Sequence, residues 1–135
     1  MRVLLRPFVL LVLLIAFTAA AQSQQSTVGV GSPGGGANII LFAAGMPQPI
    51  SGGVNVGVSV QPTTGYTCTS VTISIVDQYS NTLASITVQN PGATVTQTFT
   101  NLGCNIPVQV VVNSVFQNGT QFDYPYLETD VTTNY

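Results

Sequence analysis

The sequence predicts an all-β protein, a single antiparallel β-sandwich of about seven strands. Three observations predict it. Apolar residues recur with period two in one short run after another, the runs are β-branched, and clusters of Gly, Pro, Asn and Asp separate them. No stretch beyond the first 21 residues has a 3.6-residue period.

Each element follows from that alternation. Ile39 to Ala44 is a short apolar run read as a strand. Val54, Val56, Val58 and Val60 alternate with Asn55, Gly57 and Ser59, leaving one face apolar and the other nearly bare. Val71, Ile73 and Ile75 alternate with Thr72 and Ser74, and Ala84, Ile86 and Val88 with Ser85, Thr87 and Gln89. Val95 and Phe99 lie opposite the threonines 94, 96, 98 and 100. Val108 to Val112, continuing to Phe116, is apolar on both faces and is expected to be a central strand. Phe122 to Thr133 carries the last strand, interrupted at Pro125. Turn chemistry lies between them at Pro62 to Gly65, Gln78 to Asn81, Asn90-Pro91-Gly92 and Asn118-Gly119, the last a strong hairpin signal.

Such a series of short strands is the immunoglobulin-like or fibronectin type III-like pattern. The segment Phe99-Thr100-Asn101-Leu102, leading to Pro107-Val108-Gln109-Val110, resembles the approach to the penultimate strand of fibronectin type III domains. The resemblance covers about a third of the domain, and the chain lacks tryptophan and has no tyrosine ahead of Val108 where that pattern expects one.

The N-terminus reads as a secretory signal over residues 1–21. Arg2 and Arg6 supply positive charge, Phe8 to Phe17 is unbroken and apolar, and Ala19-Ala20-Ala21 is a cleavage pattern that leaves Gln22 as the new terminus. An uncleaved anchor is the alternative, but the run falls well short of the ~20 residues that span a bilayer. The polar end from Glu128 to Tyr135 argues against a lipid anchor. Residues 22–37 are rich in Gly, Ser and Gln and read as a flexible lead, with the sandwich domain expected over 38–135. Localisation is therefore expected to be secreted and extracellular, either free or in association with a cell wall or matrix.

Two cysteines fit that route, and a Cys68–Cys104 disulfide is expected. The chain-entropy model gives such a loop on the order of 4 kcal/mol. The strand map disagrees: three strands between the cysteines would put them at opposite ends. An oxidising compartment favours the bridge over the strand map, which makes 82–89 or 94–101 the weakest strand assignment. Asn118-Gly119-Thr120 is an acceptor sequon for N-glycosylation.

Charge excludes most chemistry. After residue 21 the chain has no Lys, Arg or His and keeps four acids: Asp77, Asp123, Glu128 and Asp130. Acyl transfer through Ser or Cys lacks its usual base, and zinc lacks a plausible ligand set. An anionic chain without cations is expected to avoid nucleic acid, and the glycine run before Ala37 is not a nucleotide loop. No catalytic residue and no cofactor is assigned.

Some candidates remain. Glu128 and Asp130 share a strand face, as a carboxylate-dependent hydrolase would use them, although exposed acids near a chain end are ordinarily just solvated. Calcium could use Asp123, Glu128 and Asp130 with Asp77 or a carbonyl, but no known loop spacing is present and no metal site is assigned. Alternation puts Tyr124, Tyr126 and Phe122 on the face of Glu128 and Asp130, an arrangement suited to gripping sugars. The plainer reading is that Phe122 is core and the tyrosines close an edge. The threonine ladder 94–100 is a single ladder, which is more ordinary as the polar side of a strand than as an ice-binding array. Charged residues make up 4% of the chain, far below the quarter usual in soluble domains. The expected function is a non-enzymatic extracellular or cell-wall-associated protein whose neutral polar surface contacts glycan or matrix. The alternative is a protein-recognition module using loops such as Pro62 to Thr67 or Gln78 to Asn81.

Overall fold

The computed structural model describes residues 25–31, 35–46 and 52–133. The expected leader and its cleavage site lie outside these residues. Nine strands form two antiparallel sheets among the described residues. The first sheet has the order β1 (Gln25–Gly31), β2 (Ala37–Gly45), β3 (Val54–Pro62), β6 (Thr94–Phe99). The second runs β5 (Thr82–Gln89), β4 (Thr67–Val76), β7 (Pro107–Asn118), with β8 (Gln121–Asp123) and β9 (Tyr126–Thr132) both paired to β7. β9 also approaches β1 and β2, so the layers meet along that side.

The all-β expectation holds, and every alternating run became a strand. The apolar half of each run points between the sheets: Ile39 and Leu41 on β2, Val54 to Val60 on β3, Val71, Ile73 and Ile75 on β4, Val110, Val112 and Phe116 on β7. Burying a side chain of this size contributes roughly 1.5–3 kcal/mol, so this layer of β-branched residues dominates stability. β7 is central, with neighbours on both sides.

Three expectations need correction. Residues 25–31, read as part of a flexible lead, pair with β2 as β1, and Ala37 already opens β2. Gln, Ser and Gly there hid the strand, because an edge strand lined with small residues carries little apolar period. The Asn118-Gly119 hairpin is present, but Asn118 pairs with Gln121, so Gly119 and Thr120 are the turn residues. Gly119, at φ 60°, supplies the positive φ that a two-residue hairpin turn needs at its first position.

The third correction is the disulfide. Cys68 and Cys104 are both free thiols, the first buried and the second exposed. Cys68 faces Phe116 near the far end of β7, while Cys104 precedes Pro107 at its start. Nine residues of strand at about 3.3 Å each hold them roughly 30 Å apart, against the ~7 Å a disulfide tolerates. Both suspect strands are real, as β5 and β6.

Pro125 interrupts the last strand as expected. β8 pairs with the end of β7 and β9 with its first half, and Ser114 fills the gap between them. Its N–H and hydroxyl both donate to the Pro125 carbonyl, at 3.2 and 3.1 Å. A proline brings no N–H to the ladder, so a buried serine takes up the carbonyl instead.

Candidate functional site

Alternation sends Ser85 and Thr87 of β5, Thr72 and Ser74 of β4, Gln109 and Asn113 of β7 and Tyr126, Glu128 and Asp130 of β9 outward, and the register sets them side by side. Thr87, Thr72, Asn113 and Tyr126 form one row across β5, β4, β7 and β9. Ser85, Ser74, Val111 and Glu128 form the next, and Val76, Gln109 and Asp130 a third. Thr72 and Thr87 share a hydrogen bond of 2.9 Å between their hydroxyls, as do Ser74 and Ser85. Such cross-strand pairs contribute about 0.2–1 kcal/mol each and hold the hydroxyls in fixed positions. The rows are neutral across β5, β4 and β7 and end on β9 at one aromatic ring, Tyr126, and two carboxylates, Glu128 and Asp130.

The rings come from β8, β9 and the residues between them. Phe122, Tyr124 and Tyr126 are 51%, 64% and 51% exposed. Phe122 and Tyr124 lie nearly parallel, 12° between planes and 6.3 Å between centroids. Phe122, expected in the plainer reading to be core, faces solvent opposite Gln117. The Tyr126 hydroxyl donates to Glu128 Oε2 at 2.7 Å. That hydrogen bond to the carboxylate, with slight burial and the nearby negative charge, holds the Tyr126 phenol above its ordinary pKa. The alternation expected of Phe122, Tyr124, Tyr126, Glu128 and Asp130 is therefore present: all five are exposed, while Asp123, Leu127, Thr129 and Val131 are buried.

Glu128 and Asp123 do not join Asp130 in one site. Asp130 lines a surface depression of about 440 Å³ with Asp77, Gln78, Ser80 and Gln109, and Glu128 is not part of it. Both Asp77 oxygens are occupied by the β4–β5 turn. Oδ1 accepts from the N–H groups of Tyr79 and Asn81 at 2.8 and 2.9 Å, and Oδ2 from Asn81 Nδ2 at 3.2 Å. The Asn81 N–H is the chief cause that holds the Asp77 carboxyl below its ordinary value. Asp123 turns inward, at the opposite end of the sandwich. Its Oδ2 accepts the Gly36 N–H at 3.0 Å and its Oδ1 the Tyr124 N–H at 3.0 Å, binding the start of β2 to β8. Among the described residues no three potential metal ligands lie together.

The loops expected to carry protein recognition are also separated. Pro62 to Thr67 lies at the start of β4 and Gln78 to Asn81 beyond its end, with about 30 Å of strand between them. The former borders a second depression, of about 310 Å³, lined by Tyr66, Cys68 and Pro91. Burial pushes the Cys68 thiol above its ordinary pKa, which makes it a poor nucleophile. Cys104 sits in the exposed loop between β6 and β7.

Sequence reasoning missed Thr72, Ser74, Ser85, Thr87, Gln109 and Asn113 as neighbours of the tyrosines. Each was visible as the polar member of an alternating run, but only register sets four strands in line. Searched against models of known protein families and against curated proteins, the chain matches none.

Proposed function

We propose that this chain is a secreted, non-enzymatic protein, extracellular or associated with a cell wall, that contacts glycan or matrix through the outer face of its five-stranded sheet. The observation that carries this reading is the row of hydroxyl and amide side chains Thr87, Thr72 and Asn113 that ends at Tyr126, with Phe122 and Tyr124 also exposed beyond it. Aromatic faces cover the apolar C–H side of a sugar ring, while Asn, Gln, Ser and Thr exchange hydrogen bonds with its hydroxyls. A surface without cations suits a neutral polymer better than an anion or a nucleic acid.

The fold is best read as a sandwich of the immunoglobulin or fibronectin type III kind. β2, β3 and β6 in one layer over β5, β4, β7 and β9 in the other correspond to the strand order of such domains, with β1 added at an edge. Asn118 is exposed at the tip of the β7–β8 hairpin, where a glycan attached to its side chain meets solvent. The processed leader and Asn118 glycosylation belong to this proposal, because both require the export route.

Retention on insoluble polysaccharides and on immobilised host-surface glycans tests the reading. Binding above an albumin control, elution by free sugar, and about tenfold weaker retention of Tyr124→Ala are expected. Tenfold corresponds to about 1.4 kcal/mol, the scale of one aromatic contact. No retention above the control defeats the proposal. Retention that salt removes and sugar does not would favour protein recognition, for which Tyr79, 76% exposed at the tip of the β4–β5 turn, is the natural anchor.

A further inference from the structure

We infer that β5 is a self-complementary edge through which two copies of this chain pair antiparallel, joining their five-stranded sheets into one. Proteins ordinarily block such edges with charge, proline, short length or an inward-pointing polar residue. The other described edges have these features. β8 is three residues long and followed by Pro125, β9 carries Glu128 and Asp130, β1 is approached by β9, and β6 turns Gln97 to its core side opposite Val56. β5 has none of these over its paired length: its eight residues, Thr82-Leu83-Ala84-Ser85-Ile86-Thr87-Val88-Gln89, hold no charge and no proline, and its one irregularity, the bulge at Leu83, lies before the regular stretch Ala84 to Gln89.

Its core-facing row is also incompletely covered. Ala84, Ile86 and Val88 are only half-buried, whereas their neighbours Ile75, Ile73 and Val71 on β4 are fully buried. The backbone direction follows from one hydrogen bond. The Asn90 N–H donates to the Thr69 carbonyl at 2.8 Å, flanking the Ser70–Gln89 pair. Alternation from that point turns the N–H and C=O of Val88 and Ile86 toward β4, and those of Ser85, Thr87 and Gln89 toward the free edge.

A second copy fits this edge in one register. With Ile86 opposite its own counterpart on a two-fold axis, Ala84 meets Val88, and the half-buried row is covered by the same row of the other copy. Ser85 then faces Thr87 as a hydrogen-bonded pair on each side of the axis, using the outward backbone groups. The hydroxyl rows continue across the junction, so that Thr72 and Thr87 of one copy run on into Ser85 and Ser74 of the other. Shifting by one residue sets apolar side chains against hydroxyls, which selects against that register. Such an edge is small beside the ~1,200–2,000 Å² of a stable interface, so the dimer is reversible and depends on concentration. It stands independently of glycan contact, though it would place two copies of the polar face side by side.

Sedimentation equilibrium of the purified protein, expressed as the full chain, tests the pairing. The mass is expected to rise from one chain toward two between micromolar and millimolar concentration. Thr87→Pro removes an outward N–H without touching the β4 ladder, and is expected to raise the dissociation constant at least tenfold. Thr96→Pro, the matching change on the β6 edge, is expected to leave it unchanged. In a Cys104→Ser background with oxidised glutathione as oxidant, Ile86→Cys is expected to give a covalent dimer. Leu83→Cys, six residues from its counterpart in this register, is not. A single-chain mass throughout, a dimer that survives Thr87→Pro, or equal cross-linking at both cysteine positions would overturn the inference. Binding of an extended peptide by a protein that never dimerises would assign the edge to a different partner and equally refute self-pairing.

Discussion

Thr133 joins the end of β9 to the loop before β7, and its hydroxyl is the most informative single group to remove. The residue is 1% exposed. Its Oγ1 accepts the Ile106 N–H at 2.8 Å and donates to the Gly103 carbonyl at 2.7 Å, while its own N–H donates to the Ile106 carbonyl at 2.9 Å. Thr133→Val keeps the shape and the main-chain bond but leaves two backbone groups without partners. Each group stripped in this way costs about 1–3 kcal/mol. Because the loop is only partly buried and water reaches part of it, a total of about 2–4 kcal/mol is expected. For a domain of this size that lowers the melting temperature by roughly 8–20 °C. Thr133→Ser retains both hydrogen bonds and loses one methyl, for a cost near 1 kcal/mol. Thermal and urea unfolding followed by circular dichroism measure both variants. If Thr133→Val melts within about 0.5 kcal/mol of the parent, or Thr133→Ser is equally damaging, the hydroxyl is not what secures the chain end.

Three further outcomes are expected. A thiol reagent should modify one cysteine, Cys104, in the folded protein and two in denaturant; a folded protein with no reactive thiol would show that the cysteines pair after all. Gly36→Ala places a Cβ 2.9 Å from Asp123 Oδ2 and 3.0 Å from the Tyr66 ring, so a loss of about 1–3 kcal/mol is expected in urea melts, with Asp123→Ala comparable through loss of the Gly36 and Tyr124 hydrogen bonds. The Asp77 carboxyl has a lowered pKa in the folded state, so its stabilisation is fully present above the ordinary value of 3.8 and is lost as pH falls through the lower folded value. The melting-temperature gap between the parent and Asp77→Asn should then be constant near neutrality and close only in acid, and a gap that instead widens in acid contradicts the turn assignment.

How much was legible depended on the residue. Val54 to Val60 and Val71 to Ile75 announced their strands because period two has one physical cause, a pleat with one dry face. Gln25 to Gly31 did not, because β1 is built from small and polar residues whose strand state comes from pairing with β2 rather than from a buried stripe. The tyrosines and acids of the candidate site were correctly placed on one face, since alternation along a single strand is local information. Their neighbours Thr72, Thr87 and Asn113 come from other strands, and no local pattern connects them. The cysteines show the same division: the strands between them are countable in the sequence, whereas the redox chemistry of a cysteine pair carries no information on which end of the sandwich each occupies.

Composition and alternation alone thus determined an all-β chain with a β-branched interior and a surface almost without charge, because side-chain burial and ionisation belong to individual residues. Tertiary structure decided what lies beside what: the ends occupied by Cys68 and Cys104, the hydroxyl rows reaching Tyr126, and the uncovered β5 edge. Those depend on strand order and register, which are set by contacts between residues far apart in the chain, and such contacts leave no periodic trace in any one segment.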